Sequence, residues 1–227
     1  MKLRHMAAML ALTIPLLMST MPASASLWPG LGTKASEKSG AFRTDDFREH
    51  TSELQSPWLI AHGNNNTFAG KVNAAIAREK RQFVDSVAAE NARKETLGWM
   101  SWHEGLVGNF ITNTQGLTSI VLIEQTLSAG DAHGTTFAKG LTFNGEGDLI
   151  DLQDLLPNLT VDDMNQYILH TAKKKQIALL PKHTVTTLPT NFYVGKNKVI
   201  YAIYQQNDLT PAEEGVFSVA IGKVQLQ

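Results

Sequence analysis

The sequence predicts an α+β domain in which an antiparallel, meander-like sheet carries one long N-terminal helix and a second, shorter helix packed on it. Three patterns support this class. Apolar residues recur at helical spacing over residues 68–87, runs rich in Ile, Val and Thr alternate with turns from residue 117 onward, and a capping pattern opens a second helix near Thr160. The short turns between the strands suit a meander rather than βαβ crossovers.

Residues 1–25 have the three parts of a secretory signal. Two basic residues precede an apolar run at residues 6–18, and Ala23 and Ala25 supply the small residues that signal peptidase requires. The apolar run of about 13 residues is shorter than the ~20 that span a bilayer, and Pro15 interrupts it. We therefore predict cleavage after Ala25, a secreted or periplasmic location and no membrane span in the mature protein; the alternative is a helix retained in the membrane.

After the signal, residues 26–54 are predicted to be a flexible leader and residues 55–227 a single α+β domain. A short strand is expected around Trp58. The long helix follows, with an apolar stripe of Phe68, Val72, Ile76, Phe83 and Val87. Its charged run at residues 78–81 is predicted to be a solvated face.

The second half of the domain is predicted to alternate between strands and one helix. Strands are expected at residues 117–127, 136–143, 149–152, 192–194, 199–204 and 216–221. Thr160 and Asp163 form a capping pattern, and the lysines at 173–175 complement the negative end of the helix. The inner face of this helix is predicted to carry Met164, Tyr167, Ile168 and Thr171.

Composition excludes several kinds of partner and site. Lys and Arg total 20 against 21 Asp and Glu, which gives a formal net charge of -1. This charge is too small to attract a phosphate backbone or an anionic membrane, so nucleic acid is not an expected partner. The chain has no cysteine, which rules out disulfides, thiolate metal sites and thiol nucleophiles.

The sequence contains no recognisable catalytic or cofactor motif. The seven histidines never share the i,i+2 or i,i+4 spacing from which metal sites are built. Adjacent acidic residues diverge on a strand and on a helix alike. Neither a nucleophile elbow nor a phosphate-binding loop occurs. We therefore expect no metal and no cofactor, and binding is the first interpretation with an enzyme as the alternative.

Five residues form the candidate binding surface. Trp99 and Trp102 lie three positions apart beside His103, and Asp131 and His133 alternate within one predicted turn. Tryptophan contributes strongly to interfaces, so this group is a candidate for recognition of a sugar or a protein. Positions 99 and 102 fall on opposite faces of a strand, so one Trp is expected to be buried. For residues 131–134 the simpler interpretation is turn geometry.

Four segments together carry a family resemblance. They are Val72, Asn73, Ile76 and Phe83 in the long helix; residues 119–121 followed by 132–136; Gly147, Leu149, Leu152 and residues 154–156; and residues 191–193 and 199–204 with Pro211, Gly215 and Ile221. In this order, over residues 55–224, they resemble the RsiV-like extracytoplasmic domain family, found as the outer part of the anti-sigma factor RsiV and as an accessory domain of the peptidoglycan deacetylase PdaC. The chain departs from the family at Asp131, where glycine is usual, and at residues 205–209, which lack the aromatic-rich form.

The resemblance implies an α+β fold and an envelope-facing binding role without catalysis. Because the outer domain of RsiV binds lysozyme, it implies a lysozyme-like hydrolase, or another envelope protein or peptidoglycan glycan, as the partner. Two alternatives stay open. One is a wall-acting hydrolase that uses His133 with Asp131 or Glu104, and the other is a structural envelope protein whose domain scaffolds an oligomer.

Overall fold

The structure of the chain is a computed structural model that describes residues 33–34, 42–48, 55–61, 67–96, 103–114, 116–128 and 135–224. The predicted signal at residues 1–25 and most of the predicted leader lie outside these residues. The described elements are β1 (Thr33–Lys34), β2 (Phe42–Arg48), β3 (Gln55–Ala61), α1 (Phe68–Thr96), β4 (His103–Thr114), β5 (Leu117–Ser128), β6 (Thr135–Phe143), α2 (Leu152–Leu155), α3 (Val161–Lys175), β7 (Phe192–Val194), β8 (Val199–Tyr204), a 3-10 helix (Ala212–Glu214) and β9 (Phe217–Lys223).

Antiparallel ladders join the described strands into three sheets. The large sheet has the order β1-β4-β5-β6, the small sheet has the order β7-β8-β9, and β2 pairs with β3. Helices together with antiparallel sheets confirm the predicted α+β class. The single meander that the sequence suggested is divided in two, because α2 and α3 are inserted between β6 and β7.

Helix α1 covers one face of the large sheet. Val72 and Ile76 bury their side chains in one cluster with Ile120 and Leu122, the alternate residues of β5. The helix has 29 residues, about 43 Å at the usual rise, and β5 has 12 residues, about 40 Å. The helix is therefore long enough to follow the whole strand. Among the described residues no helix combines the length and the apolar character needed to cross a membrane.

The opposite face of the large sheet packs on the small sheet. The buried residues between them are Val121, Ile123, Ala138, Tyr193, Tyr201, Ile203 and Val216. The rings of Tyr193 and Tyr201 stack with their centroids 4.9 Å apart. The backbone N–H of Val194 donates to Ser119 Oγ at 2.9 Å, and that hydroxyl lies 3.0 Å from Thr142 Oγ1. Buried polar contacts therefore connect β7 to β5 and β6.

Helix α3 covers the outer face of the small sheet. Its buried residues are Met164, Ile168 and Ala172, which share a cluster with Phe192, Val194, Ile200, Phe217, Val219 and Ile221. The predicted capping box is present, since the Asp163 N–H donates to Thr160 Oγ1 at 3.1 Å and the Thr160 N–H donates to the Asp163 carboxylate at 3.0 Å. The layers therefore follow the order α1, large sheet, small sheet, α3.

Two sequence predictions around α3 differ from the structure. Tyr167, predicted on the inner face, is exposed, because the buried stripe runs through positions 164, 168 and 172. The stretch at 149–152 is not a strand: Leu149 forms one bridge to Phe143, and α2 begins at Leu152. The cause is a capping box between Asp151 and residue 154, which satisfies the first N–H groups of a helix.

Amide side chains cover the outer edge of β6. The backbone N–H groups of Thr136, Ala138 and Gly140 donate to the side-chain oxygens of Gln206, Gln205 and Asn191 at 3.1, 2.9 and 2.8 Å. The amide nitrogens of Gln205 and Asn191 both donate to the Ala138 carbonyl at 2.8 Å. An edge strand with free N–H and C=O groups is a template for pairing with another chain. These amides close that edge and tie the large sheet to the loops that flank β7 and β8.

Candidate functional site

The structure describes one of the five predicted binding residues, and only by its backbone. His103 is the first residue of β4 and pairs with Ser128, the last residue of β5. The other four, Trp99, Trp102, Asp131 and His133, lie outside the described residues. Their role in binding therefore stays a prediction.

Three described strand ends lie together on one side of the large sheet, which we call the 128 end. His103 opens β4 beside Ser128, and Thr135 opens β6 at the position whose ladder partner on β5 is Thr126. The connection at residues 129–134, which contains two of the predicted residues, joins β5 to β6 at this end. Helix α1 starts at the opposite end, because its residue Phe68 contacts the turn after β6.

Glu124 places a carboxyl group on the α1-facing side of β5. Ile120 and Leu122 are buried on this side, and Glu124 is the next residue in the same alternation, opposite Val107 of β4 and Phe137 of β6. Its side chain is half-buried. The row of apolar residues under α1 is thus interrupted by an acid near the 128 end.

Glu79 brings a second carboxyl group to the same place from α1. It lies three residues after Ile76 and four before Phe83, both buried, so helical geometry puts it on the inner stripe. Only 12% of its side chain is exposed, against 54% for Arg78, whose Nε lies 3.7 Å from Glu79 Oε1. The prediction that the charged run at 78–81 is a solvated face is therefore wrong for Glu79.

Burial changes the protonation of Glu124. Burial, with a smaller contribution from the nearby Glu79 carboxylate, raises the pKa of Glu124 to about 8, and Lys139 acts in the opposite direction. Burial disfavours the charged form of an acid, and a like charge nearby acts in the same direction. At neutral pH the Glu124 carboxyl is consequently protonated and uncharged in the folded protein.

An exposed aromatic ring lies beside these carboxyls. Phe137 faces the same side of β6 as Leu141 and Phe143, which are buried, yet 43% of Phe137 is exposed. Lys139 occupies the position between Phe137 and Leu141 in that alternation. We call Glu79, Glu124, Phe137 and Lys139 the Glu124 patch.

The Glu124 patch combines a ring with a hydrogen-bond donor. A protonated carboxyl donates a hydrogen bond that a carboxylate cannot give, and an aromatic ring can stack on a sugar or pack against a protein side chain. In the described residues, acidic side chains and histidines do not come together in any group of three or more that could hold a metal ion. The arrangement offers a ligand an aromatic ring and a hydrogen-bond donor, with the charges of Glu79 and Lys139 beside them.

Both acids could have been found from periodicity. Glu79 falls at helical spacing from Ile76 and Phe83, and Glu124 falls in alternation with Ile120 and Leu122. What the sequence does not contain is the register that sets α1 against β5, so the meeting of the two carboxyls required the structure.

Comparison with known proteins adds no assignment: no model of a protein family matches this sequence, and no curated protein matches it. The resemblance to the RsiV-like family therefore stays a prediction that rests on its four segments.

Proposed function

We propose that this protein is an exported cell-envelope module that binds a partner without chemistry of its own, and that the partner is a lysozyme-like wall hydrolase. Export is supported by the three-part signal at residues 1–25. The partner class is supported by the RsiV-like order of segments. A peptidoglycan glycan is the alternative ligand for the same surface.

The observation that carries this proposal is the exposed ring of Phe137. It continues a row whose other apolar members are buried, and it lies beside an uncharged acid at the 128 end. Exposed aromatic side chains flanked by polar groups are frequent anchors of binding surfaces. The chain between Ser128 and Thr135 contains the predicted residues Asp131 and His133, and the proposal includes contact of the same partner with them.

The test is binding of the mature protein to immobilised lysozyme and to purified peptidoglycan. We expect Phe137→Ala to weaken binding at least about tenfold, because an aromatic anchor contributes more than about 1.4 kcal/mol. Tyr167→Ala is the matched control, since Tyr167 is 38% exposed but lies on α3, across both sheets from α1. The proposal is contradicted if the mature protein binds neither lysozyme nor peptidoglycan. It is also contradicted if Phe137→Ala and Tyr167→Ala weaken binding equally.

A hydrolase is the second candidate, and the protonation of Glu124 favours it. An acid that stays protonated at neutral pH beside a second carboxylate has the protonation state of a general acid that donates to a leaving group. If the protein is a hydrolase, the mature protein degrades purified peptidoglycan and the Glu124→Gln variant does not. The binding proposal expects neither protein to degrade it.

A further inference from the structure

The side chains of α1 that face the large sheet are apolar at the start of the helix and include an ionisable residue farther along. Ala69, Val72, Ala75 and Ile76 are buried in the first part of the contact. Lys71 Nζ also lies 2.6 Å from Asp148 Oδ1, in the turn after β6. The start of α1 is therefore held by packing and by an ion pair.

Farther along, the inner stripe of the helix includes an ionisable side chain. Glu79 follows Ile76 on the inner stripe, and Phe83 is the last residue of α1 whose side chain is described as buried. The described side chains of residues 85–93 are exposed or half-buried. Among the described side chains, the packing of α1 beyond Ile76 therefore involves Phe83 and the neighbourhood of Glu79 and Glu124.

Within the part of the chain that the structure describes, the charged groups that act on Glu124 are Glu79 and Lys139. Glu79 faces it from α1, with Arg78 as a largely solvent-exposed counter-charge, and Lys139 faces it from β6. On β4 its partner is Val107, whose neighbours in the same alternation are Gly105 and Asn109. Strand β3, which contacts α1 and β4, contains no ionisable residue.

We propose that a proton held at the meeting point of Glu79 and Glu124 controls the docking of α1: when it is present, the helix is closed on the large sheet along its length, and when it is lost, the part of α1 from Glu79 to Thr96 loosens. Two charges of the same sign in a half-buried contact repel each other and lose hydration. A protonated Glu124 removes the repulsion and the hydration cost of its own charge. This inference concerns the free protein and does not depend on any partner.

The direction of the pH effect follows from the raised pKa. Folding raises the pKa of Glu124 to about 8, so the folded protein holds this proton more tightly than the unfolded chain. The contribution to stability is complete below the ordinary carboxyl pKa and is lost as the pH rises through about 8. Docking of the second part of α1 therefore weakens in mildly alkaline solution.

Hydrogen–deuterium exchange of the whole mature protein tests this inference. We expect the protection of backbone amides at residues 79–96, corrected for intrinsic exchange, to fall at least about tenfold between about pH 6 and about pH 9. Helix α3, on the other outer layer, provides the internal reference and should keep its protection. Equal protection of residues 79–96 at both pH values overturns the proposal.

Matched variants identify the responsible group. Glu124→Gln keeps the shape of a protonated glutamate and should hold the protection of α1 constant across the same pH range. Glu79→Gln should reduce the pH dependence without abolishing it, because burial is the larger cause of the raised pKa of Glu124 and the Glu79 charge the smaller one. It serves as the independent test if Glu124→Gln does not fold. Glu146→Gln, an exposed acid in the turn after β6, should behave like the unaltered protein. If both variants at positions 79 and 124 keep the full pH dependence, the proposal is wrong.

Discussion

Gly140 on β6 lies directly against the backbone of β7. A Cβ atom at this position would lie 1.9 Å from the carbonyl oxygen of Phe192 and 2.5 Å from its carbonyl carbon. Backbone atoms on a strand cannot move aside as the end of a side chain can. The contact between the large and small sheets therefore requires glycine here.

We predict that Gly140→Ala lowers the free energy of unfolding by about 3 kcal/mol or more, because β7 must shift away from β6. Urea unfolding followed by circular dichroism measures the change. Gly145→Ala is the control, since a Cβ there meets only one atom, at 3.8 Å, and it should change stability by less than about 1 kcal/mol. Similar values for the two variants would show that β7 can move without cost.

Lys175 shows how packing adds to a role that sequence can predict. Its position in the last turn of α3 suits the negative end of the helix, as expected for the lysines at 173–175. In the structure its Nζ also donates to the Ser218 carbonyl at 3.2 Å and lies 5.6 Å from the centre of the Phe217 ring. Burial lowers the pKa of Lys175. The helix end was readable from sequence, whereas the contact with β9 depends on which sheet the helix covers.

The edge of β6 is closed by side chains where a neighbouring strand is absent from the ladder. Gln205 contributes twice, because its amide oxygen accepts from the Ala138 N–H and its amide nitrogen donates to the Ala138 carbonyl. Asn191 shares that carbonyl and also accepts from the Gly140 N–H. Removing the Gln205 amide leaves the Ala138 N–H without its partner in a partly buried place, whereas the Ala138 carbonyl keeps Asn191.

We predict that Gln205→Ala costs about 1–3 kcal/mol of unfolding free energy, since an unpaired buried amide loses its hydration without compensation. In the same variant the Ala138 amide hydrogen should exchange faster with solvent, and NMR can follow this exchange residue by residue. Gln166→Ala, at an exposed position of α3, is the matched control and should be neutral within about 0.5 kcal/mol. A neutral Gln205→Ala would mean that water replaces the amide at this edge.

Several elements could be read from sequence almost to the residue. Strands β7 and β8 have their predicted bounds because a Gly195-Lys196-Asn197 turn separates two short runs of apolar and aromatic residues. Helix α3 begins where Thr160 caps it. By contrast, residues 149–152 have an apolar pattern that is too short to distinguish a strand from a helical turn, and the capping box decided for the turn.

At the scale of the whole molecule, export is the prediction on which the proposed function depends. We expect the protein recovered outside the cytoplasm to begin at Ser26, because Ala23 and Ala25 are the small residues that signal peptidase requires. N-terminal sequencing of the natural protein checks this. Ala25→Lys should leave the signal uncleaved, whereas Ser26→Ala should not. Recovery of intact Met1 in a cytosolic fraction would contradict the prediction.

The sequence by itself determined the α+β class and most element positions, because helical spacing, strand alternation, caps and turns are properties of neighbouring residues. It also contained the periodic positions of Glu79 and Glu124 without indicating that they meet. Tertiary structure alone decided that the large and small sheets pack face to face, that each of these two sheets has its own helix, and that Glu79 of α1 lies near enough to Glu124 to raise its pKa. The physical reason is that burial and proximity between distant residues depend on the register of whole elements, and local pattern does not fix that register.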